Sequence, residues 1–249
     1  MFKFLSKYIY PNDLLPKLKL YGPVIFIRFS LIEIYRICLR MFFSSYSQFR
    51  EDLIIEKYLG KNKTISYIDV GSNHPIKFNN TYRFYLKGGH GINVDPNEQL
   101  LPLYNQMRPK DINLIMGLGD KPSSLTFYKL WPDSSSSFSS SFVQEKINTG
   151  SKLIYKKKVK VTTLQAIISK YFRDKRVDLL SIDTEGFDLK VLQGNDWQLY
   201  RPKIVCVENL LDNRINGFMF KVGYRLIHAN EVNAIFIDSR DEQSTKASN

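Results

Sequence analysis

Acidic residues recur in this chain where runs of β-forming residues end. Asp69 sits in Ile68-Asp69-Val70 just before Gly71, and Asp95 closes Gly91-Ile92-Asn93-Val94. Asp120 follows the apolar run Ile112 to Leu118. Asp183 and Glu185 follow Leu179 to Ile182, and Glu208 with Asn209 follows Ile204 to Val207. In an open α/β sheet, ligands bind beyond the carboxyl ends of the strands. Acids gathered on that rim are hard to explain as core, because an ionised carboxylate needs a partner when buried. Gly71 after the first run lets a ligand approach the backbone, with Ser72 and Asn73 beside it. Asp95 at the end of the second can accept from both hydroxyls of a ribose. The chain has neither G-x-G-x-x-G nor G-K-[ST], so a dinucleotide or triphosphate is not indicated. A nucleoside without a pyrophosphate fits better, and S-adenosylmethionine is the common one.

Four further segments sharpen this. Tyr46 to Ile54 (YSQFREDLI), Tyr67 to Pro75 (YIDVGSNHP), Gly91 to Asn97 (GINVDPN) and Asp178 to Gly186 (DLLSIDTEG) occur in this order, with Asn233 to Phe236 near the end. Together they resemble the FkbM-type family of S-adenosylmethionine-dependent methyltransferases, over about residues 46 to 238. The resemblance implies a Rossmann-like class I methyltransferase fold and methyl transfer to an oxygen of a sugar or a small glycosylated molecule, such as a glycan or lipopolysaccharide. It also implies a cofactor-side role for Gln48 and Asp52, beside Glu51. One position departs: Arg50 stands where the family usually has glycine.

Methyl transfer is an in-line displacement in which the protein positions the acceptor and removes its proton. Asp183 and Glu185 are the candidate bases, with His74 after the glycine turn as the alternative. Gly71 is expected beside the methionine part of the cofactor. Asp69 is expected to orient that turn or to reach the ammonium through a water, and Asp120 to meet the adenine amino group, though an aspartate in a turn reads equally well. A second reading is metal-assisted. Asp183, Glu208 and Asn209 resemble the placement of ligands in catechol-type O-methyltransferases, an oxygen set suited to Mg²⁺. The competing readings are a non-catalytic nucleoside-binding α/β module and a methyltransferase acting on a non-sugar small molecule. A glycosyltransferase D-x-D motif and an N-P-P-[YF] motif of nucleic-acid methyltransferases are both missing.

The elements that must position these residues form an α/β domain over 46–239. Strands are expected at 65–70, 91–94, 111–116, 178–182 and 204–207, alternating with helices, and a late antiparallel hairpin at 224–228 and 234–237. This predicts a mostly parallel seven-stranded sheet with helices on both faces. Runs 125–130 and 159–162 read as an additional strand pair. The segment 131–150 holds seven serines between Ser134 and Ser141 and reads as a loop or lid closing on the acceptor side. Residues 240–249 form a polar tail.

The charge is +12 and the isoelectric point about 9.5, with positives in Lys152 to Lys160 and in the first 45 residues. No zinc finger, RNP-like strand or base-reading basic helix accompanies them, so nucleic acid is not expected as a partner. Residues 1–45 read as a basic helical extension whose stripe Ile27, Leu31 and Ile34, beside Arg28, Arg36 and Arg40, suits an anionic membrane surface. Charges interrupt every apolar run too often for a bilayer span. Cys38 and Cys206 lie in apolar runs with no paired spacing, as reduced thiols do. A cytoplasmic enzyme, peripheral at the inner face of the membrane, is the expectation.

Overall fold

The computed structural model describes residues 45–241, apart from 62, 132–134, 174 and 210–212. The chain divides into two units, Met1–Tyr46 and Ser47–Asn249, and the second holds the sheets and the cleft. The expected N-terminal extension and most of the polar tail lie outside the described residues. No helix among those described is long and apolar enough to cross a membrane.

Seven strands form the main sheet: β1 Ser66–Val70, β2 His90–Asp95, β3 Ile112–Ile115, β7 Leu179–Ile182, β8 Ile204–Glu208, β9 Tyr224–Ala229 and β10 Asn233–Asp238. Their order is β3-β2-β1-β7-β8-β10-β9. All neighbours run parallel except β10, which is antiparallel to both β8 and β9. This is the Rossmann-like class I methyltransferase fold expected from the resemblance, late hairpin included.

Strand alternation feeds two cores. Ile68, Val70, Leu180, Ile182, Val205 and Val207 point to one face, where α5 (Leu164–Tyr171), α6 (Asp188–Gln193) and α7 (Asn213–Lys221) bring Leu164, Ile168, Leu192 and Met219. Tyr67, Leu179, Ile204, Cys206 and Ile235 point to the other, against Ile55 and Leu59 of α1 (Glu51–Leu59) and Phe84 of α2 (Tyr82–Leu86). Helices therefore cover both faces, as buried parallel strands require. A short 3₁₀ turn, Glu98–Leu100, leads into α3, Leu101–Met107.

The extra strands form a separate three-stranded sheet, β4 (Gly117–Leu118), β6 (Lys152–Thr162) and β5 (Ser123–Trp131), in that order. Here β6 begins at Lys152, well before the expected Val159, because lysines at 152 and 156–158 hide its alternation. The segment expected as a loop or lid over 131–150 also differs. It carries a helix, α4, at Ser140–Asn148, capped by the Ser139 side chain on the Phe142 N–H and anchored by buried Val143. Serines that read as loop formers act here as a cap and its approach.

Candidate active site

One cleft of about 340 Å³ opens where β1, β2, β7 and β8 end, within the range of small-ligand sites. Its lining includes Gln48, Asp69, Gly71, Ser72, Asn73, Asp95, Asp183, Glu185 and Glu208, so most of the residues singled out from the sequence converge on it.

The glycine turn is shaped by the protein itself. Gly71 has φ 73°, and a Cβ there would lie 1.7 Å from the Asp183 carbonyl oxygen. The Asp183 N–H donates to the Val70 carbonyl at 2.9 Å. Gly71 is thus accounted for by the close approach of the β1 and β7 ends, independently of any ligand. Asp95 spans two turns: Oδ2 accepts from Asn73 N at 2.9 Å and Oδ1 from Asn97 N at 2.8 Å. Asn97, rather than Asp95, caps the 3₁₀ turn, accepting from Gln99 N.

Asp69 is buried in a polar network that the sequence reading missed. Its Oδ2 accepts from Asn79 Nδ2 at 3.0 Å and Thr81 Oγ1 at 2.8 Å. Behind these lies Arg108, fully buried, donating to Asn79 Oδ1, Thr81 Oγ1 and Asp111 Oδ2 and packed against the Tyr67 and Tyr85 rings. Tyr104 donates its hydroxyl to the Ser72 carbonyl at 2.8 Å. Desolvation raises the Asp69 pKa even so. Asn79 Nδ2 also lies 3.5 Å from the Ser72 carbonyl and 3.4 Å from that of His74, which links Asp69 to the glycine turn. A signal was present in Asn79 and Thr81, but nothing in sequence spacing ties them to Arg108.

Three carboxylates stand together: oxygens of Asp183, Glu185 and Glu208 lie within 4.8 Å of one another and could hold a metal ion. Burial pushes the Asp183 carboxyl up to about 7, with Asp188 the next cause. Burial and the Asp183 charge push Glu185 up to about 9, and burial with Asp183 and Glu185 pushes Glu208 up to about 10. Lys146 from α4 opposes the shift at Glu185 and Glu208. Glu185 adopts φ 54°, a left-handed conformation costly for a side-chain-bearing residue. It is held there by Ser137 Oγ, which donates to its carbonyl at 2.7 Å, and by Asp188, which accepts from Thr184 N and Gly186 N.

Several expected residues fall elsewhere. Asn209 does not line the cleft: its amide donates to Asn216 Oδ1 and its N–H to the Val232 carbonyl. Glu185 stands beside Asp183 and Glu208. His74 lies outside the lining too, and its Nδ1 accepts from Ile76 N and Lys77 N. Asp120 is paired with Lys190 at 2.8 Å and stays off the cleft. Asp52 is buried at the start of α1, also off the cleft, while Gln48 lines it. Glu51 Oε1 ties α1 to the β9–β10 turn through Asn230 and Asn233. Arg50, where glycine was expected, has φ 69°, so the turn keeps a glycine-like backbone.

The far wall draws partly on the segment expected to close on the acceptor side, which contributes Ser135, Ser136, Ser137 and Phe138. Met116, Gly117 and Leu118 line one side; Phe127, Phe138, Lys129 and Lys146 line another. Phe138 packs between Phe127 and Phe187, with ring centroids 5.5 and 5.7 Å away. The serine segment is tied in place by a backbone bridge between Ser137 and Tyr128 and by Ser136 Oγ on Leu130 N. Two buried polar atoms of the wall, Ser72 Oγ and Glu208 Oε2, have no hydrogen bond among the described residues, so a polar ligand entering the cleft would satisfy groups that now cost free energy.

The model of the methyltransferase FkbM domain matches residues 69–226. Among solved structures, similar chains include one assigned as a caffeoyl-CoA O-methyltransferase from Staphylococcus aureus (12% identity, 94% of this chain and 99% of that one, TM-score 0.42). A methyltransferase from Geobacter sulfurreducens matches at 9% identity over 76% and 78%, TM-score 0.41. One assigned as an RNA methyltransferase from Pyrococcus horikoshii matches at 11% over 76% and 82%, TM-score 0.39. Likenesses at this level bear on neither substrate nor mechanism. No curated protein matches the chain.

Proposed function

Since the chain belongs to the FkbM methyltransferase domain family, we propose that this methyltransferase uses S-adenosylmethionine and methylates a hydroxyl oxygen of a sugar-containing acceptor. The observation that carries the proposal is that Asp95, at the end of β2, and the carboxylates Asp183, Glu185 and Glu208 share one cleft. Asp95 Oδ2 and Oδ1 accept the Asn73 and Asn97 N–H groups, which fixes the carboxylate at the end of β2, and a carboxylate is the acceptor that suits a ribose diol. The cofactor, when bound, supplies an electrophilic methyl on a sulfonium. Ser72 Oγ is the buried group on the glycine-turn side available to hold its polar end. On the acceptor side, the Phe127 and Phe138 rings offer flat apolar surface of the kind a sugar ring packs on, and Asp183 takes the acceptor's hydroxyl proton as general base.

Calorimetric titration with S-adenosylmethionine tests the donor. Asp95→Ala should weaken binding by about 1.5–3 kcal/mol, the scale of hydrogen bonds to a charged group; unchanged affinity removes Asp95 from the site. Labelled-methyl transfer to a panel of glycans and of non-sugar hydroxyl compounds tests the acceptor, and labelling of the second group alone would favour the non-sugar reading. A donor that never binds would leave a non-catalytic module.

The three-carboxylate cluster favours one variant of this reading. Held by Asp183, Glu185 and Glu208, Mg²⁺ would acidify the acceptor hydroxyl. Activity lost to EDTA and restored by Mg²⁺, with direct cation binding lost in Glu208→Gln, is the expected signature; EDTA resistance returns the chemistry to Asp183 alone.

A further inference from the structure

Lys129 and Lys146 line the cleft, but a separate group of lysines lies away from it on one strand. The 11 residues of β6 carry Lys152, Lys156, Lys157, Lys158 and Lys160, and neither β6 nor its partner β5 contains an acidic residue. Strand alternation splits these lysines. Val159 and Val161 are buried, and Lys157, on their face, pairs with Glu98 at 2.5 Å. Lys156, Lys158 and Lys160 point the other way, opposite Tyr128, Thr126 and Ser124. All three are exposed, and none makes a side-chain hydrogen bond or ion pair among the described residues. At about 3.3 Å per residue they form a ladder roughly 13 Å long.

Like charges two residues apart on one strand face repel, and neighbouring acids usually relieve them. This ladder has none on either strand. Two residues before Lys156, Ile154 is 59% exposed at a register shift that leaves it without a partner on β5, and its neighbour Leu153, paired with Leu130, is 45% exposed. A row of ammonium groups beside exposed aliphatic residues matches a bilayer interface, with anionic headgroups over the lysines and acyl boundary under the aliphatics. A nucleic-acid backbone would use the lysines and leave the aliphatics bare. The strand residues of this face include no arginine, and their aromatic, Tyr128, is half-buried rather than open for stacking.

We propose that the lysine face of β6 is a docking surface for an anionic lipid bilayer. The test is co-sedimentation of the full chain with vesicles of phosphatidylcholine, with and without 30% phosphatidylglycerol (about that fraction gives a strongly negative surface), alongside a single-stranded poly(U) binding assay. The wild type should bind the anionic vesicles and be released by salt. Lys156→Gln/Lys158→Gln/Lys160→Gln should weaken that binding on the order of 10²-fold, from about 1 kcal/mol per lysine near the surface, with an unchanged melting temperature. Ile154→Ser should weaken vesicle binding about tenfold and leave poly(U) binding unaltered. Vesicle binding that is absent in the wild type, or equal in the triple variant, overturns the proposal; in the second case residues 1–45 or another surface carry the contact. Loss of poly(U) binding alone in the triple variant would also overturn it, marking a nucleic-acid face instead.

Discussion

Asp183, Glu185 and Glu208 illustrate how one burial pattern serves two opposed ends. All three carboxyls are raised above their ordinary range, so the folded protein holds protons that the unfolded chain would release. Their stabilising contribution is therefore complete below the unfolded pKa near 4 and is lost as pH rises, first through about 7 at Asp183 and then through about 9 to 10 at the other two. Each proton held by the folded state alone costs about 1.4 kcal/mol of stability per pH unit over that window. The melting temperature of the ligand-free protein should fall between pH 5.5 and 8.5, and Asp183→Asn should flatten the fall; a flat wild-type profile would contradict the shifts. Turnover runs the other way, since only ionised Asp183 can accept a proton, and should rise through about pH 7. Asp183→Asn should lower turnover about 10²- to 10⁴-fold while donor affinity survives. Arg50 is a simpler case. Its φ of 69° is unstrained only for glycine. Comparing Arg50→Gly with Arg50→Ala removes the side chain in both, and the glycine variant should be about 1 kcal/mol more stable by urea unfolding. Equal stabilities would mean the turn relaxes. The departure from the family's glycine was visible in the sequence, but its conformation was not, because a residue name does not report φ.

Elements place these residues by a few close approaches. The ends of β1 and β7 touch at Gly71 and the Asp183 carbonyl, so a methyl group there must separate the two strands. Gly71→Ala should cost about 2–5 kcal/mol, combining overpacking with a left-handed alanine, and should abolish donor binding as Asp183 moves. Circular dichroism melts with donor titration would check it, and a stable, donor-binding variant would refute the contact. Strand ends were legible because Asp69, Asp95, Asp183 and Glu208 interrupt apolar runs. What was not legible are partnerships formed across the fold. Glu185 joins Asp183 and Glu208 because the turn after β7 folds back with Glu185 in a left-handed conformation, held by Ser137 and Asp188. His74, a base candidate by proximity to the glycine turn, is turned to cap Ile76 and Lys77. Asp120 reads as a strand-end acid, yet Lys190, 70 residues later, claims it. The serine-rich stretch hid α4 because composition argues for a loop while one cap and one buried valine suffice for a helix.

For the molecule as a whole, the order of apolar runs and helices sufficed to foresee a seven-stranded sheet with a reversed late hairpin. The pairing of run 125–130 with 159–162 was legible too, but not its register or the full length of β6, whose lysines hide the alternation. That strand also gathers charge that was counted but not placed by composition. The central pairing of the sheet has one more consequence, for the protein as it is being made. β1 lies between β2, which follows it closely, and β7, whose Leu179 pairs with Tyr67. At about 5–20 residues per second, the ribosome delivers β7 roughly 5 to 20 seconds after β1. Throughout that interval one edge of β1, with Ile68 and Val70, has no strand to pair with, and the turn that begins at Gly71 has no Asp183 to close against. The cleft is thus among the last features the growing chain can complete, and until then the apolar first half is the part most exposed to wrong partners.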